Sequence, residues 1–230
     1  ISVSAFLLNR SSDLSLLGTL LSNDISTSTS LSFDGNALAN TQGERNLMGK
    51  SFTVDVMLNP AADQREMTVF AHGGDEKGLR FGLTADRKLS ATINGEILVS
   101  DSIVSFNNML HQVAYVLDQS GDKTTVNFYD GSKAIGSKQL KEHYEGASSG
   151  IVLGSDFDFT RETLYKGEML EFRLWNRAMD AALLGSYSKK KLTGYETGLL
   201  DYYPMNEGDG EWAYDKAPGS MDLMLTGTSW

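Results

Sequence analysis

Hydrophobic and polar residues alternate in short runs along most of this chain, and glycine, asparagine and aspartate separate the runs. Phe52, Val54, Val56 and Leu58 fall on one face of a period-two segment, the signature of a half-buried strand. Met67 to Ala71 and Leu79 to Leu83 predict two more strands, flanking the loop His72-Gly73-Gly74-Asp75-Glu76-Lys77-Gly78. Leu89 to Ile93, then Asn94-Gly95, then Glu96 to Val99 predicts a tight hairpin, because Asn-Gly suits the type I′ turn that joins twisted strands. Val113 to Leu117 and Thr124 to Tyr129 follow, with Asp130-Gly131 as another turn. The run Gly150 to Gly154 is a strand, followed by an acidic loop around Asp156 and Asp158. Gly167 to Trp175 is another strand, placing Leu170, Phe172 and Leu174 in the core. An Asp-initiated, Ala- and Leu-rich stretch predicts one short helix over Asp180–Tyr187. Leu199 to Tyr203 and Leu223 to Leu225 close the series. About a dozen strands and one helix predict an all-β fold, a two-sheet antiparallel β-sandwich of the jelly-roll kind.

The first 30 residues differ. Serine and threonine clusters alternate with leucines there, as in a leader or linker segment lying along the sandwich, and residues 31–230 are expected to form one domain. The chain opens on Ile, which fits a piece of a longer protein with neighbouring domains; the lack of a leader signal is uninformative. A chain of 230 residues buries roughly 70–75% of its unfolded surface and needs no covalent staples. It has none, because there is no cysteine, which excludes disulfides, thiolate metal sites and a cysteine nucleophile. A net charge of −10 argues against a nucleic-acid partner. No segment approaches the ~18 apolar residues of a membrane span.

Several stretches together resemble the laminin-G-like and pentraxin-like jelly rolls of the concanavalin A-like lectin/glucanase superfamily. Leu31-Ser32-Phe33-Asp34-Gly35 is similar to the family's opening L-x-F-D-G, and Phe52 to Pro60 to its F-T-I-E-A-W-V-K-P. Leu110-His111-Gln112-Val113-Ala114 resembles W-x-H-V-A, and Phe128-Tyr129-Asp130-Gly131 resembles Y-V-D-G. Gly167 to Met179 resembles G-x-I-D-E-V-R-I-W-N-R-A-L-S, and Tyr202 to Gly208 resembles Y-Y-P-F-N-E-G. Met57 and Leu110 stand where the family carries Trp, and Gln112 stands where it carries His.

The glycosidases of this family place two acids on one strand as E-x-D-x-x-E, held about 5–5.5 Å or 6.5–9.5 Å apart. Here the nearest stretch is Glu168-Met169-Leu170-Glu171. Leu170 takes the aspartate position, and strict alternation would put Glu168 and Glu171 on opposite faces. The chain is therefore expected not to be an enzyme. Glu171 and Arg173 share a face and are expected to form a solvated ion pair.

Calcium takes 6–8 oxygen ligands, and alternating acids in a loop can supply them. The pentraxin resemblance implies such a site at Asp156 and Asp158, with Glu162 as a later ligand and Asp75 and Glu76 completing it from the 73–78 loop. That expectation holds that the two loops meet and that their acids lack a basic partner. A second candidate is the pair Asp34 and Asp215, since relatives carry a structural ion near the chain ends. Aromatic rings stack on sugars, and Phe157, Phe159, Tyr165 and Trp175 are the candidates. The chain is accordingly expected to be a non-catalytic module binding a glycan or a cell-surface protein. The alternative is a structural or adhesion domain with no small ligand. The resemblance implies a secreted or cell-surface location.

Overall fold

The computed structural model describes residue 25 and residues 29–74, 78–146 and 148–230. Most of the expected 1–30 leader thus lies outside the described residues. Ile25 donates its N–H to the Lys189 carbonyl (3.2 Å), and the Ser30 hydroxyl donates to Glu168 Oε1 (3.1 Å).

Two antiparallel sheets face one another. The first runs β1 (Leu31–Asp34), β14 (Lys166–Trp175), β4 (Phe52–Pro60), β9 (His111–Asp118), β10 (Thr125–Asp130) and β11 (Lys133–Gln139), with β15 (Leu199–Tyr203) also paired to β14. The second runs β16 (Trp212–Ala213), β17 (Leu223–Thr226), β2 (Leu38–Thr41), β13 (Ile151–Leu153), β5 (Met67–His72), β6 (Leu79–Leu83), β7 (Lys88–Ile93) and β8 (Glu96–Ile103). A short pair, β3 (Arg45–Asn46) and β12 (Ser148–Ser149), lies apart from both. Phe52, Val54, Val56 and Leu58 enter the main core as the alternation predicts, and Leu170, Phe172 and Leu174 join them there. Asn94 and Gly95 adopt φ of 52° and 75°, the left-handed pair a type I′ turn demands. Near the two ends of the described chain, Ser32 and Ser229 exchange both backbone hydrogen bonds, at 2.7 and 3.0 Å.

Helix α1 (Ala181–Tyr187) forms where expected. Asp180 caps it, its Oδ1 accepting the Leu183 N–H at 2.8 Å. The helix covers the outer face of the first sheet, where Leu184 belongs to a second apolar cluster with Trp175, Met179, Leu192, Leu199 and Tyr202.

Two expectations about β14 fail here. The register slips between Leu170 and Arg173, and Glu171 sits at φ 54°, a bulge that inserts one extra residue opposite β4. Parity therefore changes. Glu168 lies across from Asn59, on the face opposite core residues Met169 and Leu58, and Glu171 reaches Arg173 on that same outer face. The two glutamates share a side rather than facing apart. Nor is the Glu171–Arg173 pair solvated, because α1 and the segment after it lie over it. Arg173 donates to Asp55 Oδ2 (3.3 Å), Glu171 Oε2 (2.7 Å) and the carbonyls of Tyr187 (3.0 Å) and Lys190 (2.7 Å). The Tyr202 hydroxyl donates to Glu171, and Gln112 Nε2 to Asp55 Oδ1 at 2.7 Å. Burial pushes the carboxyls of Asp55 and Glu171 above the usual range, although Arg173 draws both down.

Candidate functional site: a groove on the second sheet

The outer face of the second sheet carries a groove at the end where the chain turns between strands. Gly73, Gly78, Leu79, Arg80, Thr92, Gly95, Asp156, Phe157, Asp158 and Thr160 line a cavity of ≈ 220 Å³. Gly73 and Gly78, the β7–β8 turn and the loop after β13 border it together; residues 75–77, between those two glycines, lie outside the described residues. Arg80 and Thr92 are directly opposed on β6 and β7, which sets their side chains on one face. A second hollow, bordered by Thr68, Gly82 and Ser90, shares Arg80 and Thr92 and extends the groove along the sheet.

The loop after β13 is fixed at its root by Gly154. Its φ is 78°, its N–H donates to the Val69 carbonyl (3.1 Å) and its carbonyl accepts the Tyr165 N–H (2.8 Å). A Cβ at Gly154 would stand 2.6 Å from the Phe33 ring, so any larger residue displaces the loop or the ring. Beyond it, Asp156 accepts the Thr160 N–H on Oδ1 (2.9 Å) and an Arg80 N–H on Oδ2 (3.1 Å). Asp156 is only 7% exposed while Arg80 is 40% exposed. The carboxylate is tied into the protein; the guanidinium projects into the groove.

Of the expected ligand aromatics, the structure keeps two at the surface. Phe157 is half-buried in the groove wall, and Phe159 is 54% exposed at φ 52°. Tyr165 and Trp175 are wholly buried and offer no ring face to a ligand. Tyr165 packs edge-on against Phe33, and Trp175 packs at a tilt against Tyr187 of α1. Trp175 lies on β14 where α1 covers its outer side, a cover that alternation cannot reveal, whereas Tyr165 sits just before β14 with its ring in the main core.

The metal candidates fare differently. Asp75 and Glu76 lie outside the described residues. Asp156 has a basic partner in Arg80, against the expectation of unpaired acids, and Asp158 and Glu162 are exposed. Among the described residues, no three acids or histidines are grouped so as to hold a metal ion. Asp34 accepts the Asn36 N–H at 2.7 Å as a turn residue. Asp215 accepts the N–H groups of Tyr202 (2.9 Å) and Ala217 (2.8 Å) on Oδ1 and of Met221 (3.1 Å) on Oδ2, so backbone donors already occupy both oxygens. Beside it Asp201 is wholly buried, with Arg45 Nε donating to Oδ2 at 3.0 Å. Burial pushes the Asp201 carboxyl up to about 6; Arg45 opposes the rise and the charge of Asp215 adds to it.

A laminin G model described as concanavalin A-like lectin/glucanases superfamily matches residues 33–183. The chain belongs to that superfamily. Solved structures agree in fold. A protein from Bacteroides ovatus, described as a proposed carbohydrate-binding protein, superposes with TM-score 0.71 at 17% identity, over 90% of this chain and 59% of its own. This chain thus spans a little over half of that protein. The heptameric SAP-like pentraxin of Limulus polyphemus gives TM-score 0.58 at 14% identity, covering 72% of this chain and 82% of its own. Domain 4 of an extracellular arabinanase from Geobacillus stearothermophilus, in complex with arabinotriose, gives 0.53 at 12% identity, covering 67% and 74%. No curated protein matches the chain.

Within this superfamily sandwich, Arg80, Thr92 and Thr160 line the candidate groove without standing out in the sequence. Arg80 was legible only as part of a strand, because its partner Asp156 lies 76 positions away. The available signal is the alternation of Leu79, Phe81 and Leu83 and of Leu89, Ala91 and Ile93, which leaves Arg80 and Thr92 on the outer faces of their strands.

Proposed function

We propose that the domain is a non-catalytic carbohydrate-binding module of a longer, secreted or cell-surface protein, with the sugar seated in the Arg80 groove. One observation carries this. Arg80, Thr92 and Thr160 project polar groups into a 220 Å³ hollow whose wall is the Phe157 ring, which pairs orienting hydrogen bonds with an apolar face. Sugars need that combination, since a pyranose presents C–H groups on its faces and hydroxyls at its rim. Membership of a lectin/glucanase superfamily supports the reading, as do the named ligands and roles of the B. ovatus and arabinanase structures. The absence of catalysis is supported by Glu171, which is buried beneath α1 and held by Arg173 and Tyr202 instead of lining an open cleft.

The test is calorimetric titration of the 230-residue chain with neutral and acidic oligosaccharides, repeated on Arg80→Ala and Phe157→Ala. At least one oligosaccharide should bind, and each variant should weaken it while melting like the parent. If nothing in the panel binds at millimolar concentration, the domain is a structural or adhesion unit instead. Release of reducing ends from a β-glucan, abolished by Glu171→Gln, would overturn the non-catalytic assignment.

A further inference from the structure

Resting on the carbohydrate reading above, we propose that the groove selects uncharged sugars and rejects acidic ones, through the unequal exposure of its charged groups. An arginine in a binding groove ordinarily suggests an anionic ligand, because its planar fork matches a carboxylate in two parallel hydrogen bonds. Arg80 does not stand alone. Asp156 lies 3.1 Å from its Nη1 and is held in that position by the Thr160 amide. The Arg80 charge is thus met before any ligand arrives. Asp158 lines the same groove and is exposed to solvent. Among the described lining residues there is one more carboxylate than there are guanidinium groups, on a chain whose net charge is −10. A uronate or sialate entering this groove would bring a further anion to a guanidinium already paired, past an exposed carboxylate.

A hydroxyl-rich neutral ring meets no such conflict. A guanidinium carries five N–H donors, so engagement by Asp156 leaves donors for ring hydroxyl oxygens. Thr92 and Thr160 can donate or accept, and Asp158 can accept from a sugar hydroxyl. Sugar hydroxyls, being both donors and acceptors, satisfy this mixture, whereas a carboxylate accepts only. Gly73, Gly78 and Gly95 add backbone alone to the described wall, and Phe157 supplies an apolar face. Asp156 is then a positioning residue that orients and neutralises Arg80. Asp158 is the residue that sets selectivity.

The experiment titrates the full chain with arabinotriose, galactotriose and cellotriose as the neutral arm and with trigalacturonate and sialyllactose as the acidic arm. A neutral trisaccharide should bind at least roughly tenfold tighter than either acidic probe, about 1.4 kcal/mol. Its affinity should change little between about 0.05 and 0.5 M NaCl, since screening acts on net charge. Arg80→Gln should weaken neutral binding without lowering the melting temperature, and Asp158→Asn should narrow the gap between the arms by improving the acidic probes. Tighter binding of an acidic probe, falling with salt and lost in Arg80→Gln, would make Arg80 an anion receptor and overturn the inference while leaving the carbohydrate reading intact. Binding in neither arm removes both.

Discussion

Glu171 and Arg173 stand two residues apart on β14 and meet at 2.7 Å, with side chains only 3% and 2% exposed. A second carboxylate, Asp55, approaches the same guanidinium at 3.3 Å. The bulge at Glu171 makes the arrangement possible, because without the extra residue its carboxylate would turn toward the apolar core. The guanidinium in turn fastens the end of α1 and the chain after it by donating to the carbonyls of Tyr187 and Lys190.

Arg173→Ala should be among the most damaging single changes in the molecule. It leaves two carboxylates under α1 without their counter-charge, and breaking a buried pair this way costs about 3–5 kcal/mol. Glu171→Gln keeps the shape and removes one negative charge, so its loss should be much smaller. Urea midpoints for the two variants check the order; equal losses would mean that packing, not charge, governs the site.

Acid should affect the fold in an unusual direction at Asp201. Its folded carboxyl titrates at about 6 against an ordinary value of 3.8, so the native state holds the proton more tightly than the unfolded chain. The stabilisation from this proton is complete below pH ~3.8 and fades as pH rises through about 6. Asp55 and Glu171, also raised, act in the same direction. Denaturant midpoints measured from pH 4 to 7 should therefore fall less steeply in Asp201→Asn than in the parent. A steeper fall in the variant would show that Arg45, rather than burial, dominates this carboxyl.

The aromatic residues should separate by role. Phe157→Ala should lower sugar affinity by about 0.5–1.5 kcal/mol, the scale of an aromatic contact, and Phe159→Ala, outside the groove lining, by less, both with little effect on melting. Trp175→Ala should instead destabilise by about 3–5 kcal/mol, as a fully buried ring does. Parallel titration and thermal melting of the three variants distinguish ligand platform from core.

Gly154→Ala should impair the groove from below. A left-handed φ costs a non-glycine residue about 1–2 kcal/mol, and the new methyl would press on Phe33. Lower stability together with weaker sugar binding is expected; unchanged binding would show that the Asp156 loop holds its shape without this root.

Melts in EDTA and in millimolar calcium should coincide, because Asp156, the buried acid of its loop, already accepts from Arg80 and from the Thr160 amide. A rise in melting temperature with calcium concentration, abolished by Asp156→Asn, would show a bound ion.

Local chemistry made the sandwich legible. Asn94-Gly95 forecast its own turn, Asp180 forecast the helix cap, and the alternation from Phe52 to Leu58 forecast which side chains enter the core. What sequence could not forecast were contacts made by distant chain. Nothing in the residues around Glu171 signals a positive φ there, since glutamate has no preference for it. The burial of Arg173 and Trp175 follows from α1 folding back over β14, and surface-type alternation reads the same whether or not such a cover exists. At the groove, Phe157 and Phe159 stood out because a Gly- and Ser-flanked acidic loop gives aromatics little reason to be core. Arg80 did not, because an arginine on the open face of a strand is ordinary until its partner is known.

The backbone exchange between Ser32 and Ser229 has a consequence for how the sandwich can be built into other chains. Among the described residues, the sandwich's first strand and its last residues are hydrogen-bonded neighbours, so the sandwich proper begins and ends a single strand spacing apart, about 4.8 Å. A unit with neighbouring ends can be spliced into a surface loop of a host protein without prising that loop open, and can be circularly permuted by linking those ends and cutting at an exposed turn such as Ser120-Gly121, between β9 and β10. The groove lies on the outer face of the second sheet, built from β6, β7 and the loop after β13, and neither operation cuts through those strands.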